Sequence, residues 1–322
     1  MVLYVILPCF NEEQVIPTSA EILKEKFESL VKSGVIENNS KIVFVDDGSK
    51  DRTWDIICEL HDCDKMYEGL KLSHNRGHQV ALIAGMEYAS KKADAVITMD
   101  VDLQQDVNAI GEFVRMYGEG YDVICGIRKN RDTDLFMKKM TASIYYKFMR
   151  LLGCEIYENS ADYRLLSKKA LEAIVEYKES DLFLRGIVPT LGFKSGVVYF
   201  DVRDRMQGES KYNLKKMFVL AFDGIASFTV KPIRFFLVSG MIISSFSMVV
   251  IIYIIFGWFT SKTVPGWASL AAAIWFIGGV ELLGIGVVGE YVGRTYIESK
   301  KRPRYFIEDK AVDETSTEGG QS

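Results

Sequence analysis

The densest chemical signal in the chain is Asp100-Val101-Asp102, two carboxylates one residue apart at the end of an apolar run, Ala95 to Met99. Carboxylates spaced this way at a strand end can share a hard cation. Such a cation binds diphosphate oxygens and steadies them as a leaving group. The same triplet also makes an ordinary polar turn, so its neighbourhood decides. A second polar cluster, VDDGSKDRT at residues 45 to 53, follows another apolar run and offers Asp46 and Asp47 to the hydroxyl and imide groups of a ribose and base. The alternative there is a tight turn in which Asp51 or Thr53 caps the next helix. A third cluster, Pro8 to Glu13, ends the apolar run that starts at Tyr4.

The elements that must position these clusters follow from periodicity. Short β-branched runs alternate with amphipathic stretches: Tyr4 to Leu7 then Val15 to Lys32, Ile42 to Val45 then Thr53 to His61, Gly69 to Leu72 then Gln79 to Ala89, Ala95 to Met99 then Val107 to Tyr117. That alternation predicts an α/β domain with a doubly wound, mostly parallel sheet. In open α/β sheets ligands sit beyond the carboxyl ends of the strands. All three polar clusters fall there, so three strand ends converge on one crevice.

The rest of the 322 residues divides differently. Residues 135–152 set Phe136, Met140, Ile144 and Phe148 four apart, with Lys138, Lys139 and Lys147 elsewhere. The pattern fits a cationic helix in a headgroup layer, or a core-facing helix with a solvated basic face. A juxtamembrane helix is predicted over 213–230, running into a first apolar span, 231–260. Phe235 to Phe259 carries no charge and would cover about 37 Å at roughly 1.5 Å per residue, more than the ~30 Å hydrocarbon core. A second span, 264–293, is interrupted by one charge, Glu281, and is joined to the first by a turn containing Ser261, Lys262, Pro265 and Gly266.

Lys231 and Arg234 precede this hairpin, and Arg294, Lys300, Lys301, Arg302 and Arg304 follow it, against Lys262 alone between its arms. That bias predicts a multi-pass protein of the cytoplasmic (inner) membrane, with residues 1–212 and both termini in the cytosol. The N-terminus reaches Asn11, Glu12 and Glu13 too early to hold a secretory apolar region. Five cysteines, Cys9, Cys58, Cys63, Cys125 and Cys154, lack paired ligand spacing and read as reduced, buried thiols. The net charge of −4 averages a basic middle with an acidic tail and does not suggest nucleic acid. Residues 304–322 read as an acidic, solvated, disordered tail. Gly279, Gly286 and Gly293 recur every seven residues, a spacing that suits close packing within the hairpin or between subunits of a homo-oligomer. Glu281 reads either as a functional group or as part of a subunit interface.

LPCFNEE (7 to 13), VDDGSKDRT (45 to 53), HNRGHQVALIAGMEYA (74 to 89) and DVDLQ (100 to 104) resemble, in order and spacing, the motifs of family 2 glycosyltransferases of the GT-A type. The resemblance continues through RGIVPTLGFK (185 to 194), RMQGESKY (205 to 212) and IGVVGEYVGRTY (285 to 296), which look like the polyprenyl-phosphate glycosyltransferases of the bactoprenol glucosyltransferase type. Dolichyl-phosphate mannose synthase is a more distant relative. The resemblance implies a nucleotide pocket lined by Pro8, Asn11, Glu12, Asp46, Asp47 and Arg76. It places Asp100 and Asp102 at Mg2+ or Mn2+ and the diphosphate, and Asp162, in SADYRLLS, near the reacting sugar. Arg128, Arg205, Ser210 and Lys211 would face the acceptor phosphate.

The implied reaction moves a hexose, glucose or N-acetylglucosamine, from a UDP-sugar to undecaprenyl or another polyprenyl phosphate with inversion, for cell-envelope glycosylation. A phosphate monoester with a second pKa near ~6 is already mostly an oxyanion at neutral pH, so Asp162 is expected to orient rather than deprotonate. Two departures from the family stand out: Gln105-Asp106-Val107 replaces a common Asp-Pro-Pro and could alter sugar choice, and Glu281 replaces a neutral amide. The rivals are a processive polysaccharide synthase and an inactive, membrane-tethered nucleotide-sugar binding protein. The first needs a Gln-x-x-Arg-Trp segment, and Trp54, Trp258, Trp267 and Trp275 all lack that context. The carboxylates Asp100 and Asp102 argue against the second.

Overall fold

The computed structural model describes residues 1–129, 160–179, 184–201 and 266–313, with scattered positions from 236 to 249. The expected helices at 135–152 and 213–230, the acceptor candidates Arg205, Ser210 and Lys211, and the chain beyond 313 lie outside the described residues. Two compact units emerge. One holds Met1–Arg150, Glu155–Asn213 and Arg302–Ser322, and the other Leu151–Cys154 and Leu214–Lys301.

The first unit is built on an eight-stranded mixed sheet. Its strands are β1 (Leu3–Cys9), β2 (Lys41–Asp46), β3 (Tyr67–Leu72), β4 (Ala95–Thr98), β5 (Val123–Arg128), β6 (Ser160–Ser167), β7 (Ser195–Phe200) and β8 (Ile307–Ala311). They lie in the order β7-β5-β6-β4-β1-β2-β3-β8. Helices α1 (Ile16–Lys32), α2 (Thr53–Cys63), α3 (His78–Ala89), α4 (Ala109–Gly118), α5 (Lys168–Glu176) and α6 (Leu184–Thr190) connect them. The α/β class and the mostly parallel sheet are as expected.

Every residue of β1 is buried, which is why its sequence is a continuous apolar run rather than an alternating one. α3 lies directly on this centre. A Cβ on Gly85 would stand 2.3 Å from Cγ2 of Ile6 and 3.1 Å from Cγ2 of Val45, so only glycine lets the helix approach so closely.

From β1 the chain steps outward to β2 and β3, then returns to the other side of β1 for β4. That reversal opens a crevice at the carboxyl ends of β1 and β4. Pro8 sits at this mouth: β4 pairs with β1 only as far as Ile6 opposite Thr98, so no β4 acceptor needs the N–H that proline lacks. β6 runs antiparallel to β4, which brings its first residues, Asp162 among them, to the same end. β5 delivers Arg128 there too, since it runs antiparallel to β6.

The β5–β6 pairing is irregular where it matters. Cys125 faces Arg164 and Ile127 faces Ser160, so β6 spends two extra residues between those pairs. A bulge of this kind re-aims side chains and often borders a site. Here it carries Asp162.

The tail expectation is corrected at its start. Ile307–Ala311 forms β8, antiparallel to β3, and the first unit therefore resumes at Arg302 instead of ending at 212. Lys71 pairs with Glu308 at 3.5 Å, and Trp54 Nε1 donates to Asp309 at 3.2 Å. Charged residues suit an edge strand, because its pairing rests on backbone groups that side-chain polarity does not report. Among the thiols, Cys9 and Cys125 are buried but Cys63 is exposed, against expectation.

In the second unit α7 (Trp267–Ser299) is a 33-residue helix, about 50 Å long at ~1.5 Å per residue, running past the expected end at 293. Leu270, Ile274, Leu282, Ile285 and Val292 are each more than 60% exposed on it. Positions 236, 238–240, 242, 245 and 249 are also helical, and a Cβ on Gly284 would stand 3.6 Å from Cδ1 of Phe236. The side chains of α7 are only partly described, and among the described residues no helix is long and apolar enough to cross a membrane.

Candidate active site

Asp46 closes β2 and is wholly buried. Its Oδ1 accepts the Ser49 N–H at 3.0 Å, while Oδ2 has no partner among the described residues. Burial raises its pKa, against the hydrogen bonds from Ser49. A buried acceptor left without a donor is costly, and an imide N–H or a hydroxyl from a ligand is what this oxygen lacks.

Asp47 is differently employed. Its two oxygens accept the backbone N–H groups of Arg76 at 2.7 Å and Gly77 at 2.8 Å, so this carboxylate holds the loop before α3. Arg76 itself turns away, its Nε donating to the Arg304 carbonyl at 2.7 Å.

Asn11, with φ of 55°, ties the β1 loop to the β2 loop. Its N–H donates to Ser49 Oγ at 2.9 Å, and its Oδ1 accepts the Lys50 N–H at 2.9 Å. The Glu12 N–H donates to Thr53 Oγ1 at 2.9 Å, so that hydroxyl braces the first loop and does not cap α2. Asp51 accepts the Thr53 N–H at 3.1 Å instead. Pro8, Asn11, Glu12 and Asp46 are thus assembled at one mouth.

The second half of the site centres on two carboxylates bridged by an imidazole. His78 Nε2, on the first residue of α3, lies 3.6 Å from Asp100 Oδ1 and 3.7 Å from Asp162 Oδ2. Gln105, buried in the β4–α4 loop, grips Asp100 at both ends: its Oε1 accepts the Asp100 N–H at 2.9 Å and its Nε2 donates to Oδ2. Burial pushes the Asp100 carboxyl up, as do the charges of Asp162 and Asp102, while His78 lowers it. Asp162 goes the other way. Burial would raise it, but Arg164 and Arg185 outweigh burial and hold it well below the usual carboxylate range. Arg185, on α6, donates Nη2 to Asp162 Oδ2 at 2.8 Å, and buried Arg164 donates to Oδ1.

Asp102 accepts the Gln104 N–H at 3.2 Å. Among the described residues no group of three or more histidine, cysteine or carboxylate side chains converges as a finished metal cage. The donor set still fits a hard cation of the Mg2+ kind, which takes one or two carboxylates and completes its shell with substrate phosphates and water. Anionic crowding at Asp100 is what such a charge would relieve. Arg128, half-buried at the end of β5, stands at the same end of the sheet.

Residues 4–175 match the Glycosyl transferase family 2 model. The chain belongs to that family. It is 46% identical over 95% of its length, and 91% of the relative's, to the uncharacterized glycosyltransferase YkoT of Bacillus subtilis. It is 38% identical to the prophage bactoprenol glucosyl transferase homolog of Escherichia coli, covering 95% of this chain and 98% of that one. The bactoprenol glucosyl transferase of Shigella phage SfV is 38% identical, covering 96% and 99%. Among solved structures, the glucosyl-3-phosphoglycerate synthase of Mycobacterium tuberculosis superposes at a TM-score of 0.43 with 17% identity over 70% of this chain and 77% of that one, too distant to argue from.

For a family 2 glycosyltransferase, the sequence motifs single out the carboxylates and miss their partners. His78 and Arg185 lie inside the family motifs without a role that their spacing reveals, and Arg164 directly follows Tyr163 in SADYRLLS. Gln105 carried a signal, its departure from the family pattern, and the structure shows what it does there, which is to orient Asp100.

Proposed function

We propose that this glycosyltransferase moves glucose from UDP-glucose to a polyprenyl phosphate, with inversion, at the cytosolic face of the inner membrane. The observation that carries this reading is the convergence of Asp100, His78, Asp162 and Arg185 at the strand-order reversal, with the unsatisfied oxygen of Asp46 at the end of β2, on the other side of β1 from β4. Relatives named bactoprenol glucosyl transferase, aligned over nearly their whole length, favour glucose and a lipid phosphate acceptor. We read the sheet as the GT-A arrangement.

In this reading Asp46 and the Asn11–Glu12 loop receive the nucleoside. Asp100 and Asp102 would hold Mg2+ or Mn2+, which would supply charge neutralisation for the departing diphosphate. Gln105 keeps Asp100 facing that position. Asp162 is committed to two guanidinium groups, so it takes no proton and instead fixes Arg185 and His78 around the reacting centre. The acceptor phosphate, with a second pKa near ~6, arrives as an oxyanion and needs cationic neighbours more than a base. Arg128, Arg205 and Lys211 are the candidates for that cationic role, with the neutral Ser210 hydroxyl as a further hydrogen-bond donor.

The exposed apolar side chains of α7 support its insertion in the bilayer as the second arm of a hairpin, with both termini cytosolic. Its glycine face supports self-association. Detergent-solubilised protein incubated with undecaprenyl phosphate and a panel of UDP- and GDP-sugars should yield glucosylated lipid from UDP-glucose, seen by mass spectrometry. Nucleotide-sugar binding without any lipid product would favour the inactive binding protein and end this reading.

A further inference from the structure

Arg304 lies five residues beyond the end of α7, yet its side chain is only 7% exposed and is fully engaged. Nε donates to the Glu179 carbonyl at 2.8 Å, Nη2 donates to the Tyr177 carbonyl, and Nη1 stands 3.5 Å from Glu87 Oε1. Tyr305 donates its hydroxyl to the other oxygen of Glu87. The backbone of the same segment is engaged too: the Arg304 carbonyl accepts from Arg76 Nε at 2.7 Å, and the Phe306 carbonyl accepts the Ser73 N–H at 3.0 Å.

These contacts join two elements that meet again at the site. Glu87 belongs to α3, whose first residue is His78, and Arg76 belongs to the loop leading into it. Tyr177 and Glu179 follow α5 and lead toward α6, which carries Arg185. Gln79 Oε1 accepts the Leu184 N–H at 3.3 Å, so α3 and α6 also touch beside Asp162. A guanidinium that grips both elements at one end governs how they meet at the other.

We propose that Arg304 is a positioning residue for glycosyl transfer. By holding α3 against the segment after α5, it sets the spacing of His78 and Arg185 across Asp162. The inference rests on the function proposed above. A purely structural guanidinium would stabilise the fold and leave the balance between binding and turnover alone. A positioning one acts on turnover, because the proposed nucleoside contacts come from the β1 and β2 loops, whereas the Arg304 side chain contacts Glu87, Tyr177 and Glu179.

The test uses the full-length protein in detergent, measuring kcat and KM for UDP-glucose, UDP affinity by calorimetry, and the thermal midpoint. Arg304→Met should lower kcat by about tenfold to a hundredfold, the loss expected when reacting groups shift by about 1 Å, with KM and UDP affinity within about twofold. Arg304→Lys should fall between, since it keeps the charge facing Glu87 and loses the fork. Tyr305→Phe, which removes one hydrogen bond, provides a milder reading should Arg304→Met fail to fold: kcat should drop severalfold at an unchanged midpoint. A lower midpoint with unchanged kcat, or a raised KM with unchanged kcat, overturns the inference. Wild-type protein that makes no glucosylated lipid defeats the functional reading, and the inference falls with it.

Discussion

At Asp162 a buried carboxylate meets Arg164 and Arg185, and the arginines rather than the solvent decide its charge. Its folded pKa lies below the unfolded value of about 3.9, so the stability it contributes is present above roughly pH 4 and lost as pH falls through the folded value. Asp162→Asn leaves Arg164, 3% exposed, without its counter-charge and should cost roughly 3–5 kcal/mol. Denaturation should show a gap between wild type and variant that is flat from about pH 7 to 5 and narrows below about pH 4. Gln105→Leu removes both contacts to Asp100, and the Mg2+ or Mn2+ concentration giving half-maximal turnover should rise about tenfold or more. Asp102→Asn should abolish metal-dependent transfer while the protein still folds, and retained turnover would remove it from the site. The carboxylates were legible because a two-residue spacing at a strand end is a local pattern. Their partners were not, because His78 and Arg185 reach Asp162 only after separate elements pack together.

At the scale of elements, the β–α alternation of the first hundred residues could be read directly, since the central parallel strands β1, β2 and β4 announce themselves as apolar runs. β6 could not. It buries Asp162 and Arg164 against each other, and that mutual neutralisation breaks the hydrophobic pattern by which strands are recognised. Nor could its bulge be foreseen. A Cβ on Gly126 would stand 2.9 Å from the Tyr163 carbonyl oxygen and 3.0 Å from the Phe200 ring, so the bulge depends on a missing side chain in the neighbouring strand. Gly126→Ala should therefore force β5 and β6 apart, costing about 1–3 kcal/mol in thermal unfolding and lowering turnover as Asp162 shifts.

At the scale of the whole molecule, α7 exposes Leu270, Ile274, Leu282 and Ile285, and the proposed insertion in a bilayer is what would cover them. Membranes carrying the full-length protein should keep it through alkaline carbonate washing, and its release into the wash would count against insertion. The strand order adds a consequence for biosynthesis. β8, the last strand among the described residues, covers the edge of β3, one of the first. While the ribosome is still producing α7, that edge has no neighbour and can pair with any passing strand. The nascent polypeptide must therefore shelter a half-sealed sheet until α7 has already emerged, and a premature stop codon just after α7 would leave a product prone to aggregate, however well its helix is made.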